Sequence, residues 1–400
     1  MKLGLIREGK NPPDKRVVFT PIQCKELLEQ YPEIDLVVQS SPNRCFPDAD
    51  YKEQGIKVVE DVSDRAVLMG VKEVPIEQLI PNKTYFFFSH TIKKQPYNRD
   101  LLRAVLDKNI RLIDYERLTN DDNERLIGFG RHAGIVGAHN GVKIYGKKTG
   151  AFSLPDAHSS TDFNELKEVY KKTKFSNFKV VNTGNGKVAY GAIETLKAMG
   201  IKEVNKEDFS LNSFDYPVYT HLKYADMYRH FQHHEFDKDD FYRNPSHYYA
   251  DFKPFYQNAD IFINGIFWAN DGPVYFTNED MRQEDFNIKV IADVTCDIAP
   301  LSSVPCTLRA TVIGDDVMGY DPITEKEVAP YGKNTIEVMS VDNLPNELPR
   351  DAATEFGKVM TSVIIPELLK VTESMVLKRA SIAQNGQLTE PYFYLSDYVS

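Results

Sequence analysis

Short apolar runs alternate with stretches of helical spacing from the first residues onward. "KLGLIRE", "DLVVQS", "KVVED", "AVLMGVKE", "TYFFFSH" and "IRLIDYE" are brief and rich in Val, Ile and Phe, and they predict strands. Between them, "PIQCKELLEQY" and "NRDLLRAVLDKN" carry helical spacing, with Pro21 at a first helical turn where its missing N–H costs little. Such alternation predicts parallel sheets joined by right-handed crossovers. Near residue 140 the texture changes: "GFGRHAGIVGAHNGVKIYGKKTG" is glycine-rich and suits a helix packed closely on a neighbour. A second α/β series follows in "FKVVNTG", "GIKEVN", "ADIFINGIFW" and "KVIADVTCD", and the stretch after residue 335 reads as a return to the first domain. The expected fold is therefore α/β, with two Rossmann-like domains, parallel sheets and a cleft between them. The first domain is discontinuous, 1–142 with 338–400, and clasps a second at 143–337; 400 residues suit two cores better than one.

The segment "VVNTGNGKVAYGAIETLKAMGIKEVN", residues 180–205, reads as strand, glycine turn and helix. Gly184 permits a tight turn, Gly186 lets backbone approach a pyrophosphate, and Ala189 lets the helix sit close to the strand, while free N–H groups at the helix start face the anion. Gly184, Asn185, Gly186, Lys187, Val188 and Ala189 thus form a candidate dinucleotide cradle, and 143–337 becomes the dinucleotide-binding domain. The competing reading is a glycine-rich turn with nothing bound. The carboxylate expected about 20 positions on, for the ribose 2′-hydroxyl, falls near Asn205 and Lys206, which carry none. A cation in its place tilts an NAD(P)(H) site toward NADP(H).

Two strands of the first domain end in titratable groups. "MGVKEVP" delivers Lys72 with Glu73, and "FFFSHTIKKQ" delivers His90 with Lys93. A lysine that loses solvation after a buried strand shifts toward use as a base, and histidine titrates near neutrality. On pattern alone, Lys72 reads more readily as a snorkelling surface residue, and His90 equally as a satisfied structural histidine or a catalyst. The histidine-rich "HLKYADMYRHFQHHEF" places His230 and His234 four apart on a possible helix, but the HExxH order is absent; a polar surface and no metal are expected.

A net charge of -10 argues against non-specific nucleic-acid binding. Cys24, Cys45, Cys296 and Cys306 lie far apart without a CxxC pair, which reads as reduced thiols in a cytoplasm. "MKLGLIREGK" lacks the apolar run of a signal peptide, and no window is apolar enough for a membrane span. A cytoplasmic monomer or homodimer acting on small molecules is the expectation.

Taken in order, "REGKNPPDKRVVFTP", "GVKEVP", "FFFSHTIKKQ", "GFGRHAG", "TGNGKVAYGA", "DVTCD" and "VDNLPNELPRDAATEFG" resemble the alanine dehydrogenase and transhydrogenase superfamily. The likeness is strongest to its lysine-forming saccharopine dehydrogenase branch, including lysine–ketoglutarate reductase domains. It implies Lys72 as general base, His90 as second acid/base, and Glu73 and Glu116 as carboxylates tuning them. It also implies Lys10, Arg16, Lys93 and Arg125 as cations for substrate carboxylates, and Asp297 on the nicotinamide side. Arg131 and His132 stand where relatives often carry aromatics, which makes Arg131 a substrate-pocket residue. The implied activity interconverts a secondary-amine dicarboxylate with an amino acid (lysine) and a 2-oxo acid (2-oxoglutarate) by hydride transfer. The alternatives are an alanine dehydrogenase-like enzyme, a carboxyalkyl-amino-acid synthase, and a non-catalytic dinucleotide sensor.

Overall fold

The computed structural model describes residues 1–268, 271–372 and 374–400. Six strands open the chain: β1 (Lys2–Leu5), β2 (Asp35–Gln39), β3 (Lys57–Val59), β4 (Val67–Met69), β5 (Thr84–Phe87) and β6 (Arg111–Asp114). The middle holds β7 (Lys179–Thr183), β8 (Lys202–Glu203), β9 (Val218–Leu222), β10 (Tyr228–His230), β11 (Tyr248–Ala250), β12 (Ile261–Asn264), β13 (Val290–Asp293), β14 (Met318–Asp321), β15 (Lys326–Val328) and β16 (Ile336–Met339). β17 (Ser381–Gln384) and β18 (Gln387–Leu388) follow near the C-terminus. The described residues divide into two compact units, Met1–Phe129 with Pro349–Ser400, and Gly130–Leu348. The expected joints at 142/143 and 337/338 fall inside the helix Gly130–Thr149 and inside β16.

The first unit is built on an eight-stranded sheet of order β18-β17-β6-β5-β4-β1-β2-β3. The run from β6 to β3 is parallel, and β17 and β18 close the edge antiparallel. Its central strands β4 and β5 bury apolar side chains on both faces, because both faces are covered. Met69, Phe86 and Ile113 enter one core cluster, while their neighbours Leu68, Tyr85, Phe87 and Leu112 enter the other. The helix Pro21–Gln30 starts where Pro21 indicated. Thr20 caps it, exchanging bonds with Gln23 in a capping box that satisfies two otherwise unpaired N–H groups.

The second unit repeats the plan with order β15-β14-β16-β13-β12-β7-β9-β8. β16 through β8 run parallel and β14 and β15 antiparallel. Here Val180, Ile261, Ile263 and Ala292 face one cluster, and Val181, Phe262 and Ile291 the other. The aromatic tract of residues 241–257 lies on the second face, where Phe241, Tyr248, Phe252, Phe255 and Tyr256 join the core. Its unusual composition is thus the composition of a sheet cover. Chain order and spatial order differ at one point that matters below: β8 follows β7 in sequence, yet β9 is the strand hydrogen-bonded to β7.

The glycine-rich stretch forms the helix Gly130–Thr149, which crosses the helix Lys187–Ala198 backbone to backbone. A β-carbon on Gly134 would stand 1.8 Å from Val188 O, and one on Gly191 would stand 2.0 Å from Arg131 O. Only hydrogen fits at either place. No helix among the described residues is long and apolar enough to cross a membrane.

Gly134→Ala is expected to destabilise the second unit by about 1–3 kcal/mol through overpacking, whereas Gly186→Ala, with open space around it, should stay within about 0.5 kcal/mol. Urea unfolding of the two variants checks this; equal effects would contradict the close crossing.

Candidate active site

β6, β5, β4 and β1 are consecutive parallel neighbours, so the loops after them leave one sheet edge side by side. Those loops carry Glu116, His90, Lys72 with Glu73, and Glu8 with Lys10. The strand-end rule for open α/β sheets therefore gathers residues that are far apart in sequence. His90 Nδ1 lies 2.5 Å from Glu73 Oε1, and Lys10 Nζ lies 3.2 Å from Glu73 Oε2. Glu73 is largely buried, which by itself would raise its pKa, but the bond and charge of His90 together with Lys10 hold it down to about 2. An ionised carboxylate can only accept, so His90 carries its proton on Nδ1 and turns the Nε2 lone pair outward. His90 itself has left-handed backbone, φ 52°, a costly conformation for a side chain of this size.

Lys72 is half-buried. Burial first, then the Arg16 guanidinium and Lys10, push its pKa below the usual lysine range, against the opposing pull of Glu73 and Asp14. Glu8 supports the loop from below: its carboxylate accepts from Val71 N at 2.7 Å and Lys72 N at 2.8 Å. Burial and the nearby Asp14 raise Glu8 to about 8 despite those two amides. Neither Glu8 nor Asp14 stands out in the sequence, since each is one acid among many in "REGKNPPDKR".

The cations divide into two kinds. Arg16 is 3% exposed, its Nε and Nη2 bond Asp14 at 3.0 and 2.6 Å, and its guanidinium lies 4.2 Å from the Phe129 ring centre. That placement favours charge support of Lys72 over a role at the surface of a substrate. Lys93 is exposed beyond His90, and Arg125 is exposed and paired with Glu116 at 3.0 Å. Glu116 in turn donates its backbone N–H to Asp114, a buried carboxyl raised to about 6 chiefly by burial.

In the second unit Gly184 has φ 118°, and a β-carbon there would stand 2.5 Å from Gly265 O. Gly186 caps the helix Lys187–Ala198 without a side-chain bond, and nothing lies within 4 Å of its missing β-carbon. Asn185, Gly186 and Lys187 are exposed, Val188 is half-buried, and Ala189 is buried against the strand. A tight turn, an open glycine and an uncapped helix start are what a pyrophosphate requires. His221, the first residue of the histidine-rich stretch, sits at the end of β9 with Nε2 2.6 Å from Gly184 O.

The remaining candidates are placed as follows. Asn205 caps a short helix by accepting from Asp208 N at 2.7 Å, and Lys206 Nζ lies 2.6 Å from Asp226. Asp226 also accepts from Lys223 N, at 2.9 Å, just past the end of β9. The position next to the glycine-turn strand is thus His221–Lys223, with Lys206 reaching the same aspartate. Asp297 is half-buried after β13 and donates its N–H to Thr295 Oγ1. The first aspartate of the same motif, Asp293, is fully buried and raised to about 6 by that burial, within bonds from Thr295, Thr307 and Asn264. Arg131 forms a two-pronged pair with Glu194, at 2.9 and 2.8 Å, at the helix crossing. Residues 230–234 form no helix: His230 ends β10 and His234 has φ 62°.

Two Rossmann-like units, one with a glycine turn and the other with an acid–base cluster at its strand ends, define the class. Residues 4–136 match the family described as alanine dehydrogenase/PNT, N-terminal domain. The chain is 28% identical to an alpha-aminoadipic semialdehyde synthase of Arabidopsis thaliana, over 98% of this chain and 41% of that protein. It is 27% identical to a saccharopine dehydrogenase [NAD(+), L-lysine-forming] of Yarrowia lipolytica, over 93% of each. An L-alanine dehydrogenase structure shares the fold, with TM-score 0.67 and 16% identity over 100% of both chains. The chain is thus similar over nearly its whole length to enzymes of the saccharopine dehydrogenase branch, and it shares the fold of alanine dehydrogenase. The chain spans less than half the length of the aminoadipic semialdehyde synthases, 41% and 47% for those of Arabidopsis thaliana and Rattus norvegicus.

With lysines converted to dimethyl-lysine carrying carbon-13, the Lys72 resonance is expected to titrate at lower pH than those of exposed lysines, and Arg16→Gln should move it upward by removing a neighbouring positive charge. Titration together with the surface lysines would contradict the burial argument.

Proposed function

We propose that the chain is an NAD(P)-dependent oxidoreductase of the opine type. It interconverts a secondary-amine dicarboxylate resembling saccharopine with an amino acid (lysine) and a 2-oxo acid (2-oxoglutarate). The observation that carries this reading is the group formed by Lys72, Glu73, His90 and Lys10, in which a lysine of lowered pKa stands with a histidine of fixed tautomer. Joining an amine to a 2-oxo acid needs a neutral amine, loss of water and proton delivery at each stage. Neutral Lys72 takes the proton from the attacking ammonium, and a protonated His90 Nε2 gives one to the departing hydroxyl. Glu73 keeps the imidazole oriented through both states. Exposed Lys93, with Lys10 and Arg125, supplies point charges for substrate carboxylates.

The nicotinamide, when bound, supplies the hydride chemistry. Gly184 and Gly186 favour such a ligand because a side chain at the first would strike Gly265 and one at the second would fill the open approach to the helix start. Lys206, whose ammonium pairs with Asp226, and Lys223, whose backbone N–H bonds the same aspartate just past β9, favour a 2′-phosphate, so NADP(H) is the proposed preference.

Turnover is expected with lysine, 2-oxoglutarate and a reduced nicotinamide cofactor. A preference for alanine or ammonia with pyruvate would instead favour the alanine dehydrogenase-like reading. Lys72→Met should slow turnover by about 100-fold or more while leaving cofactor affinity intact; an unchanged rate would remove Lys72 from the reaction. Lys223→Ala should lower the NADPH-to-NADH affinity ratio about tenfold, the scale of one charge-assisted bond. A constant ratio would locate phosphate recognition elsewhere.

A further inference from the structure

The segment between β9 and β12 holds a cluster that the proposed reaction does not use. β10 and β11 pair antiparallel with His230 opposite Tyr248, and Phe231 N bonds His247 O at 2.9 Å. The helix Lys238–Arg243, capped by Asp237, brings Asp240 to the same place. One ligand-capable atom from each of His230, Asp240 and His247 lies within 4.8 Å of the others. Ligands around one ion at about 2.0–2.2 Å stand roughly 3–4 Å apart, so small rotations of the two less buried side chains close the set.

The surroundings fit an ion better than a chance meeting of polar groups. The Asp240 carboxylate is oriented on both sides, by Asn244 Nδ2 at 2.9 Å from Oδ1 and by the Tyr248 hydroxyl at 3.0 Å from Oδ2. Such outer partners are what fix a ligating carboxylate. His247 Nδ1 lies 3.9 Å from the same Oδ2. His230 is buried, with His233 stacked on it at 3.8 Å between ring centres. One contact opposes binding: His230 Nδ1 accepts from Gln232 N at 3.1 Å. Ligation through Nε2 would move the ring proton to Nδ1, and the amide of exposed Gln232 would turn to water instead.

We propose that His230, Asp240 and His247 bind one divalent transition ion of the zinc, cobalt or nickel kind. Two imidazoles and one carboxylate suit these ions and not magnesium or calcium, which take oxygen ligands. The ion ties strand, helix and turn together around the small aromatic group of Tyr228, Phe236, Phe241 and Tyr248. Its role is to fasten this segment, outside the hydride chemistry.

The test is titration of the chelator-treated full chain with cobalt(II), followed by visible absorption, with zinc displacement as a second readout. One ion per chain is expected, with a rise in melting temperature that accompanies binding to the folded state alone. His247→Ala, at an exposed position, and Asp240→Asn should each weaken binding about tenfold or more and abolish the thermal shift, while His158→Ala should change neither. Absence of stoichiometric uptake would overturn the proposal. So would uptake that His247→Ala and Asp240→Asn leave unchanged, since that would mark scattered surface histidines.

Discussion

Glu73 accepts from His90 on one carboxylate oxygen and from Lys10 on the other. Remove that carboxylate and the neighbouring groups lose their relation to one another. His90 would lose its tautomer, Lys10 its partner, and Lys72 one of the two anions, Glu73 and Asp14, whose pull opposes burial and Arg16. A carboxylate this buried costs free energy unless it is fully bonded, and here the bonds come from groups whose protonation the proposed reaction needs. The constraint extends outward. Glu8 fixes the Lys72 loop through two amides, and Asp14 holds Arg16 where its charge acts on Lys72. Glu8, Lys10, Lys72, Glu73 and His90 are thus placed by three neighbouring strand ends, and Arg16 by a buried ion pair.

The second unit depends on a different economy, that of space. At Gly134, Gly184 and Gly191 the missing β-carbon is replaced by a carbonyl of another segment, and at Gly186 by nothing at all. The first three glycines make the helix crossing and the turn possible. The fourth leaves an approach open. Close packing at Gly184 and Gly191 and open space at Gly186 therefore fall on different glycines of one short stretch, although in the sequence they look alike.

The placement of Lys72, Glu73 and His90 at strand ends, and the turn before the helix Lys187–Ala198, were legible because they rest on short-range grammar: an apolar run ends, and polar groups follow at the sheet edge. What the sequence concealed was long-range. Asn205 and Lys206 stand at the expected distance along the chain, but β9 and not β8 lies beside β7, which brings His221 and Lys223 to that place. Counting residues cannot reveal a strand that pairs out of order. Arg16, implied by the resemblance as a cation for a substrate carboxylate, is buried against Asp14, a partner two residues earlier in a segment without regular structure that no spacing rule picks out. His230 and His234 have helical spacing, yet the chain there is strand and turn, and His230 meets Asp240 and His247 instead. In "DVTCD" the spacing alone does not show that Asp293 is the fully buried carboxylate, held by three side-chain donors. The helix Gly130–Thr149 hides a unit boundary at its first residue, since small residues continue without a break through the expected joint.

The claim on which the account rests is that Glu73 fixes the proton of His90 on Nδ1. Long-range nitrogen-15 correlation spectra of histidine-labelled protein, recorded at a pH where the ring is neutral, measure that tautomer directly. A protonated Nδ1 and an unprotonated Nε2, reverting to the mixture of a free imidazole in Glu73→Gln, is the expected result. A proton resident on Nε2 in the unaltered protein would contradict it.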